Sequence, residues 1–161
     1  MMSIKQRIAK RWAKRAVKVT KKWAQNPIKT QQKVLMELVK TAKNTAFGRD
    51  HDFANIKHYA DFVSRVPIND YEGLRPYVDR MVAGEADVLW KGKPLYFSKT
   101  SGTTSGVKYI PITKESMPTH IKTAQNALFH YIHNSGDASF VDGKLIFLQG
   151  SPILSKTNGI D

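Results

Sequence analysis

The segment from Thr100 to Lys108 concentrates the chemical groups that bind a polyphosphate. It reads Thr-Ser-Gly-Thr-Thr-Ser-Gly-Val-Lys and lies between two segments typical of strands, residues 94–97 and 109–112. Glycines let the backbone approach a ligand closely, hydroxyl and N–H groups donate hydrogen bonds, and an ammonium group adds positive charge. These residue types predict a nucleotide-binding loop. Composition alone favours the alternative of a polar hairpin turn, because Ser, Thr and Gly are frequent in turns.

The spacing of this loop does not match two well-known nucleotide-binding motifs. A Walker loop has four residues between its glycines, a lysine directly after the second glycine, and a helix that begins there. Here three residues separate Gly102 from Gly106, Val107 precedes Lys108, and residues 109–112 predict a strand. A Gly-x-Gly-x-x-Gly pattern at the start of a helix is also missing from this segment, so a dinucleotide fold is not indicated.

The order of the residues is informative where the spacing of the glycines is not. Ser101-Gly102-Thr103-Thr104 is followed by Lys108, four residues after the second threonine. This order resembles the phosphate loop of the adenylate-forming superfamily, which contains acyl-CoA synthetases, luciferases and the adenylation domains of peptide synthetases.

Departures from the commonest form of that loop resemble one branch of the superfamily. The commonest form has Gly after the second Thr and Pro before the Lys, whereas this sequence has Ser105 and Val107 there and a glycine at 106. These differences, and the continuation Lys-Tyr-Ile-Pro from 108, are similar to the auxin-responsive acyl acid–amido synthetases and their bacterial relatives. Further segments that resemble this branch are 41–48, 66–72 and Gly84-Glu85. The resemblance spans about residues 30–155.

The resemblance implies a reaction, its cofactors and its site residues. Enzymes of this branch use ATP and Mg²⁺ to adenylate a carboxylic acid, and then pass the acyl group to an amine such as an amino acid. The loop would bind the β- and γ-phosphates, and Lys108 would act as the catalytic residue that stabilises charge on departing pyrophosphate. The implied phosphate-binding residues are Ser101, Gly102, Thr103, Thr104, Ser105, Gly106 and Lys108.

The resemblance also implies an incomplete fold. Such enzymes are much longer two-domain proteins, so residues 26–161 are expected to form the N-terminal part of the large domain, with the C-terminal domain absent. The expected class is α/β: N-terminal helices, then a strand, the phosphate loop and a second strand, then a long helix and a buried strand. We expect this partial subdomain to be inactive by itself.

Composition narrows the class of protein independently of any resemblance. Hydrophobic residues make up 41% of the 161 residues and aromatic residues 10%, which indicates a folded chain. The absence of cysteine excludes disulfides, thiolate catalysis and cysteine-based zinc sites. No apolar run is long enough to span a bilayer, and no secretory signal is visible. These features favour a cytoplasmic protein.

The net charge of +13 is concentrated in an N-terminal arm. Residues 1–50 hold 14 Lys and Arg against two acids, whereas residues 51–161 hold 12 against 11. Within residues 1–25 an apolar stripe recurs at helical spacing, which predicts a basic amphipathic helix. The stripe consists of Ile4, Ile8, Trp12, Ala16, Val19 and Trp23.

Four interpretations of this helix remain open. The favoured one is a surface helix that docks its Ile/Trp stripe on the domain and leaves its charges in water. The others are an interfacial helix on an anionic membrane, a nucleic-acid-binding arm and a transit peptide. The corresponding alternative function is a non-catalytic basic module that binds anionic membrane or nucleic acid through residues 1–25. Because no recognised nucleic-acid motif is present, we expect no nucleic-acid partner, and at most weak contact with a membrane.

Capping and turn residues predict the remaining elements. A helix is expected from Asn26-Pro27 to about residue 43, with its apolar face buried, and a second over residues 58–64. Asp70 is expected to cap a third helix that stops at Gly84. A long helix is expected from Thr113 to about residue 134. Further predictions are a buried strand at 144–148 and a turn at 158–159.

Histidines and carboxylates give no independent catalytic or metal site. His130 and His133 lie three residues apart on a predicted helix, but no third metal ligand is indicated, so structural roles are expected. Asp70, Glu72 and Glu115 fall at predicted helix starts, where a negative charge is favourable. We therefore predict capping roles for these three carboxylates.

Overall fold

The computed structural model describes residues 2–100, 106–144 and 146, and helices dominate this part of the chain. Two short strands form one antiparallel sheet, so the class is α/β, as predicted. The α-helices are α1 (Ile4–Ala24), α2 (Pro27–Ala42), α3 (Ala46–Asp50), α4 (Tyr59–Arg65), α5 (Tyr71–Val82) and α6 (Met117–Ser135). The strands are β1 (Tyr96–Lys99) and β2 (Tyr109–Ile112), and single 3₁₀ turns occupy Phe53–Asn55 and Ser139–Asp142.

The chain divides into two compact units. Of the described residues, the first contains 2–27 and those from 117 onwards, and the second contains those between 28 and 116. The first unit is therefore built mainly from α1 and α6, and the second from α2–α5 and the β1–β2 hairpin.

In the first unit α1 packs through small side chains rather than through its Ile/Trp stripe. Ala9 and Ala13 are buried with Ile132 of α6 and with Ala138, and Val17 is also buried. The stripe predicted to dock is instead between 46% and 75% exposed at Ile4, Ile8, Trp12, Val19 and Trp23. The predicted docking face was therefore wrong. Small side chains let a neighbouring helix approach closely, and the dense packing that results outweighs the larger apolar area of the stripe.

The start of α1 is fixed by a polar contact over a long sequence distance. Ser3 caps the helix, since its Oγ accepts a hydrogen bond from the Gln6 backbone N–H at 3.1 Å. The same hydroxyl donates to Asp142 Oδ1 at 2.8 Å, and the Gln6 amide donates to Asp142 Oδ2 at 2.6 Å. One carboxylate thereby ties the helix start to the 3₁₀ turn that follows α6.

The long helix α6 begins later than the sequence indicates. Residues 113–116 form a capping turn, in which the Thr113 N–H donates to Ser116 Oγ at 2.9 Å and the Ser116 N–H donates to Thr113 Oγ1 at 3.1 Å. These bonds satisfy two backbone N–H groups ahead of the helix, and α6 itself starts at Met117. Lys144 and Ile146 apart, the strand expected at 144–148 lies outside the described residues, as does the turn at 158–159.

The second unit has two small cores on either side of α3. One contains Val39 and Ala42 of α2 with Phe53 and Ile56. The other contains Ala46, Met81 and Val88, with Phe97 of β1 packed against it. The predicted apolar face of α2 is buried only towards its C-terminal end, because Ile28, Val34 and Leu38 are exposed.

Capping residues delimit α4 and α5, and those of α5 behave as predicted. The His58 side chain and Asp61 form a reciprocal capping box at the start of α4. Asp70 Oδ1 accepts a hydrogen bond from the Gly73 N–H at 2.9 Å at the start of α5. Gly84 follows the end of α5 with φ of 91°, a conformation that favours glycine.

A buried threonine and a glycine connect α2 to α3, which the sequence did not predict as a separate helix. Thr45 is 2% exposed; its Oγ1 donates to the Ala42 carbonyl at 2.7 Å and accepts from the Gly48 N–H at 3.0 Å. The α-carbon of Gly48 lies so close to the Ala42 carbonyl that a Cβ at this position would collide with that backbone oxygen. The tight turn therefore requires glycine for reasons of space.

Replacing Gly48 by alanine should destabilise the second unit. The new Cβ must displace the backbone of α2, and overpacking of this kind costs about 3 kcal/mol. Thermal unfolding followed by circular dichroism measures the effect. Gly73→Ala is the matched control, because its Cβ meets the side chain of exposed Asn69, which can move. Equal melting temperatures for the two variants would contradict the steric explanation.

Candidate functional site

The β1–β2 hairpin holds both ends of the predicted phosphate loop. Tyr96 pairs with Ile112 and Lys99 with Tyr109 in an antiparallel register. Beyond the last pair, the Thr100 N–H donates to the Lys108 carbonyl at 3.1 Å. Lys108 is therefore fixed opposite Thr100 at the point where the loop closes. Ser101, Gly102, Thr103, Thr104 and Ser105 lie outside the described residues, so their predicted phosphate contacts stay predictions.

Glycine is favoured at position 106 because of the backbone conformation, and not because neighbouring atoms leave no room for a side chain. Its φ is 77°, in the left-handed region that side chains disfavour. A Cβ built there would meet no heavy atom within 4 Å, so the surrounding space is open. This conformation lies two residues before Lys108, where the chain approaches β2.

Tyr71, the first residue of α5, contacts both the side chain of Lys108 and the backbone beside it. The Lys108 Nζ lies 5.3 Å from the centroid of the Tyr71 ring, within the range of a cation–π interaction. The Tyr109 N–H donates to the Tyr71 Oη at 2.9 Å. One aromatic side chain therefore positions the lysine ammonium and also satisfies a backbone donor at the start of β2.

Aromatic packing connects the hairpin to the second unit's core. The rings of Phe97 and Tyr109 meet edge to face with centroids 6.0 Å apart, and Phe97 packs against the core that contains Met81 and Val88. The Lys99 Nζ lies 5.6 Å from the Tyr109 ring centroid. Two lysines thus lie beside aromatic rings at the end of β1 and the start of β2.

The sequence identified Lys108 as a candidate site residue but gave no individual role to Tyr71, which falls in a predicted helix. Tyr71 and Tyr109 are 38 positions apart, and neither residue type signals the contact by itself. The one local signal for this contact is the position of Tyr71 directly after the capping residue Asp70. A side chain on the first turn of a helix can reach groups beyond the helix end.

The three carboxylates predicted to cap helices are engaged by other groups. Glu115 lies in the turn before α6 and not in the helix; it accepts a hydrogen bond from Trp90 Nε1 at 3.3 Å and pairs with the Lys91 Nζ at 3.3 Å. The pKa of its carboxyl is lowered, chiefly by a hydrogen bond from its own backbone N–H and further by Lys91 and Trp90. Asp70 caps α5 as predicted, and Glu72 in the first turn of α5 pairs with Arg75 at 3.2 Å.

The two histidines considered as metal ligands, His130 and His133, both lie on α6. His130 hydrogen-bonds the Thr20 hydroxyl at 3.0 Å, and His133 is exposed near the end of α6. Within residues 2–100 and 106–144, no group of three or more His, Asp or Glu side chains is arranged to hold a metal ion.

Comparison with known proteins identifies the family. The GH3 family N-terminal domain matches residues 16–160, which include the hairpin, Tyr71 and Lys108. The chain therefore belongs to the GH3 family, and the resemblance to acyl acid–amido synthetases is confirmed. Residues 1–15, which include the N-terminal half of α1, precede the matched segment.

Similar proteins are plant amido synthetases. The chain is 35% identical over 82 residues to indole-3-acetic acid-amido synthetase GH3.10 of Arabidopsis thaliana, covering 47% of this chain and 14% of that protein. It is 28% identical over 102 residues to jasmonoyl–L-amino acid synthetase JAR4 of Nicotiana attenuata, covering 62% of this chain and 17% of that protein. The chain thus spans less than a fifth of the length of these relatives.

A solved structure supports the fold. The AtGH3.15 acyl acid amido synthetase in complex with 2,4-DB superposes with a TM-score of 0.68 at 24% sequence identity, covering 74% of this chain and 21% of that one. At this level of identity the likeness shows that the fold is that of the family's N-terminal region.

Removing the Tyr71 hydroxyl should expose the role of this residue at the hairpin. Tyr71→Phe keeps the ring under Lys108 but leaves the Tyr109 N–H without its acceptor, a loss of about 1–2 kcal/mol for a partly buried donor. Hydrogen exchange measured by NMR should show faster exchange of the Tyr109 amide.

The Thr100 amide, which donates to the Lys108 carbonyl, provides an internal reference and should keep its protection in this variant. Tyr131→Phe in α6 removes the same atom from an exposed tyrosine and should change neither amide. Unchanged exchange of the Tyr109 amide in Tyr71→Phe would show that the hydroxyl does not position this backbone.

Proposed function

We propose that this chain forms the phosphate-binding N-terminal part of an ATP-dependent ligase that joins a small carboxylic acid to an amine such as an amino acid. The observation that carries the proposal is the placement of Lys108. It closes a loop rich in hydroxyls and glycine inside the GH3-matched segment, and Tyr71 holds it without a carboxylate partner among the described residues.

The proposed reaction has two balanced steps. The carboxylate oxygen of the acid attacks the α-phosphorus of ATP, forming an acyl-adenylate and releasing pyrophosphate. The amine nitrogen then attacks the acyl carbon, forming the amide and releasing AMP and a proton. The relatives are named for indole-3-acetic acid and for a jasmonoyl–amino acid product, which supports the class of small acids and amino acids as substrates. A reaction that consumes ATP fits a cytoplasmic setting.

The residues of this chain would act by binding and by electrostatics. Ser101, Gly102, Thr103, Thr104, Ser105 and Gly106 would offer hydroxyl and backbone donors to the β- and γ-phosphates. Lys108 would stabilise the charge that develops on pyrophosphate as the bond to the α-phosphorus breaks. A cation–π contact near a surface is worth about 0.5–1 kcal/mol. Charge-assisted hydrogen bonds to phosphate are stronger, so the ammonium can leave the Tyr71 ring for the nucleotide.

The donor set of the loop fits ATP better than it fits a metal ion. Hydroxyl, N–H and ammonium groups all complement phosphate oxygens, whereas Mg²⁺ prefers carboxylate, phosphate and water oxygens. The Mg²⁺ in the proposed reaction would be held mainly by the phosphates of ATP, whose charge it neutralises. Among the described residues, no group of three or more acidic or histidine side chains is arranged to hold a metal ion by itself.

The activity is proposed for a protein that carries this segment together with the remainder of a GH3 enzyme. The chain covers only 14% and 17% of the two relatives named above, so most groups that bind the acid and the amine would come from other parts of such a protein. The family match gives no support to the alternative of a non-catalytic basic module.

Lys108→Ala should reduce adenylation in that longer protein. Loss of an ammonium that acts on departing pyrophosphate should lower ATP–pyrophosphate exchange at least about tenfold, equivalent to about 1.4 kcal/mol in the barrier. Exchange of labelled pyrophosphate into ATP in the presence of the acid measures this step before any amine is added.

Lys114→Ala provides the matched control. It removes the same charge from an exposed lysine that follows β2, and exchange should stay within about twofold of the unmodified protein. If Lys108→Ala exchanges pyrophosphate as fast as this control, the assignment of Lys108 is rejected.

A further inference from the structure

The stripe of Ile4, Ile8, Trp12, Val19 and Trp23 forms an exposed apolar face on α1. These residues recur at helical spacing, so they lie along one side of the helix. The side that contains Ala9, Ala13 and Val17 is buried in the first unit, and the stripe is left at least 46% exposed. A contiguous apolar face of this kind indicates an interaction surface.

A groove deepens this face. Trp12, Val19 and Trp23 of α1 and Phe129 of α6 line an open space of about 550 Å³ in the first unit. The Trp12 and Phe129 rings meet edge to face with centroids 6.3 Å apart, which fixes one wall of the groove. Arg15 and Lys122 also line it, so cations border the apolar surface.

A row of four cations runs along the stripe. Arg11, Arg15, Lys18 and Lys22 are exposed and succeed one another at intervals of four, three and four residues, which places them side by side on the helix. The whole of α1 contains nine Lys and Arg and no acid. Across the described part of the chain, no ion pair neutralises any of these four cations.

We propose that α1 docks on an anionic lipid surface, lying in the plane of the interface with the stripe inserted and the cation row on the headgroups. A bilayer of this kind provides apolar and negative contacts side by side, and tryptophan with Lys or Arg suits its interface. A second copy of the chain would bring an equally cationic helix against the first. A nucleic acid would neutralise the cation row but would offer little to the isoleucines.

Two further observations fit a peripheral mode of attachment. Among the described residues no helix has the length and apolar character needed to cross a membrane. Ile4, Ile8 and Trp12 precede residue 16, where the GH3 match begins, so the family's N-terminal domain does not account for this half of the stripe. The inference is independent of the phosphate loop and of the proposed ligase activity.

Co-sedimentation of the 161-residue chain with vesicles tests the proposal. Binding to mixed phosphatidylcholine–phosphatidylserine vesicles should exceed binding to phosphatidylcholine alone by at least about tenfold, and should weaken as salt is raised. Equal binding to both vesicles, or binding to neither, would overturn the proposal.

Two matched pairs of variants separate the contributions of charge and apolar contact. Lys18→Gln with Lys22→Gln should weaken vesicle binding at least about fivefold. Lys40→Gln with Lys43→Gln removes the same charge from exposed residues of the second unit and should change it little. Equal losses in the two double variants would mean that net charge, and not the row on α1, attracts the lipid.

The second matched pair replaces apolar residues. All of them are exposed, so both double variants should stay folded, and their melting temperatures check this. Ile8→Ser with Val19→Ser should weaken binding, whereas Ile28→Ser with Ile68→Ser should not. A change that is equal in both pairs would contradict insertion of the stripe.

Tryptophan fluorescence reports the depth of the stripe. In a Trp90→Phe background the remaining tryptophans are Trp12 and Trp23, both on α1. Their emission should shift to the blue with anionic vesicles and should be quenched by brominated lipid. If the vesicle-bound protein keeps the emission typical of tryptophan in water, the stripe is not inserted.

Two other outcomes would assign this face to another partner. One is a dimer that is abolished by Ile8→Ser with Val19→Ser, and the other is tighter binding to duplex DNA than to vesicles.

Discussion

The candidate site depends on the contact of Tyr71 with Lys108 and Tyr109, because this contact connects α5 to the β1–β2 hairpin. The hairpin alone would leave the lysine side chain free to sample many rotamers, and restricting them later would have an entropic cost. The ring restricts the ammonium, and the hydroxyl fixes the backbone one residue further on. Tyr71 can do both because the Asp70 cap and the buried Val78 and Met81 hold α5 in place.

The type of contact is as important as its geometry. A carboxylate beside Lys108 would form a strong ion pair that a phosphate would have to displace, whereas an aromatic face holds a cation weakly and leaves its charge uncompensated. Glu115 is engaged by Trp90 and Lys91. The arrangement therefore keeps a positive charge available at the end of a loop whose other groups are neutral donors.

Local signals in the sequence predicted local structure well. Asp70 and Gly84 delimited α5, His58 marked the start of α4, and the hydroxyl- and glycine-rich loop was expected between two strands. Contacts between distant residues were not predictable in this way. Tyr71 reaches Tyr109 across 38 positions, and Asp142 ties down the start of α1 from the far end of the described chain. In both cases no local sequence pattern at one residue indicates its distant partner.

The buried face of α1 shows why apolar periodicity can indicate the wrong side of a helix. Periodicity weights Trp and Ile heavily, but close packing of two helices rewards small side chains, and Ala9, Ala13 and Val17 meet that requirement. Burying them leaves the larger residues in water, which is unfavourable unless another surface covers them. Because the same exposed side carries four cations that form no ion pair within the described part of the chain, a covering surface would have to accept both apolar and positively charged groups. An anionic membrane interface satisfies both requirements at once, whereas an apolar protein core satisfies only the first.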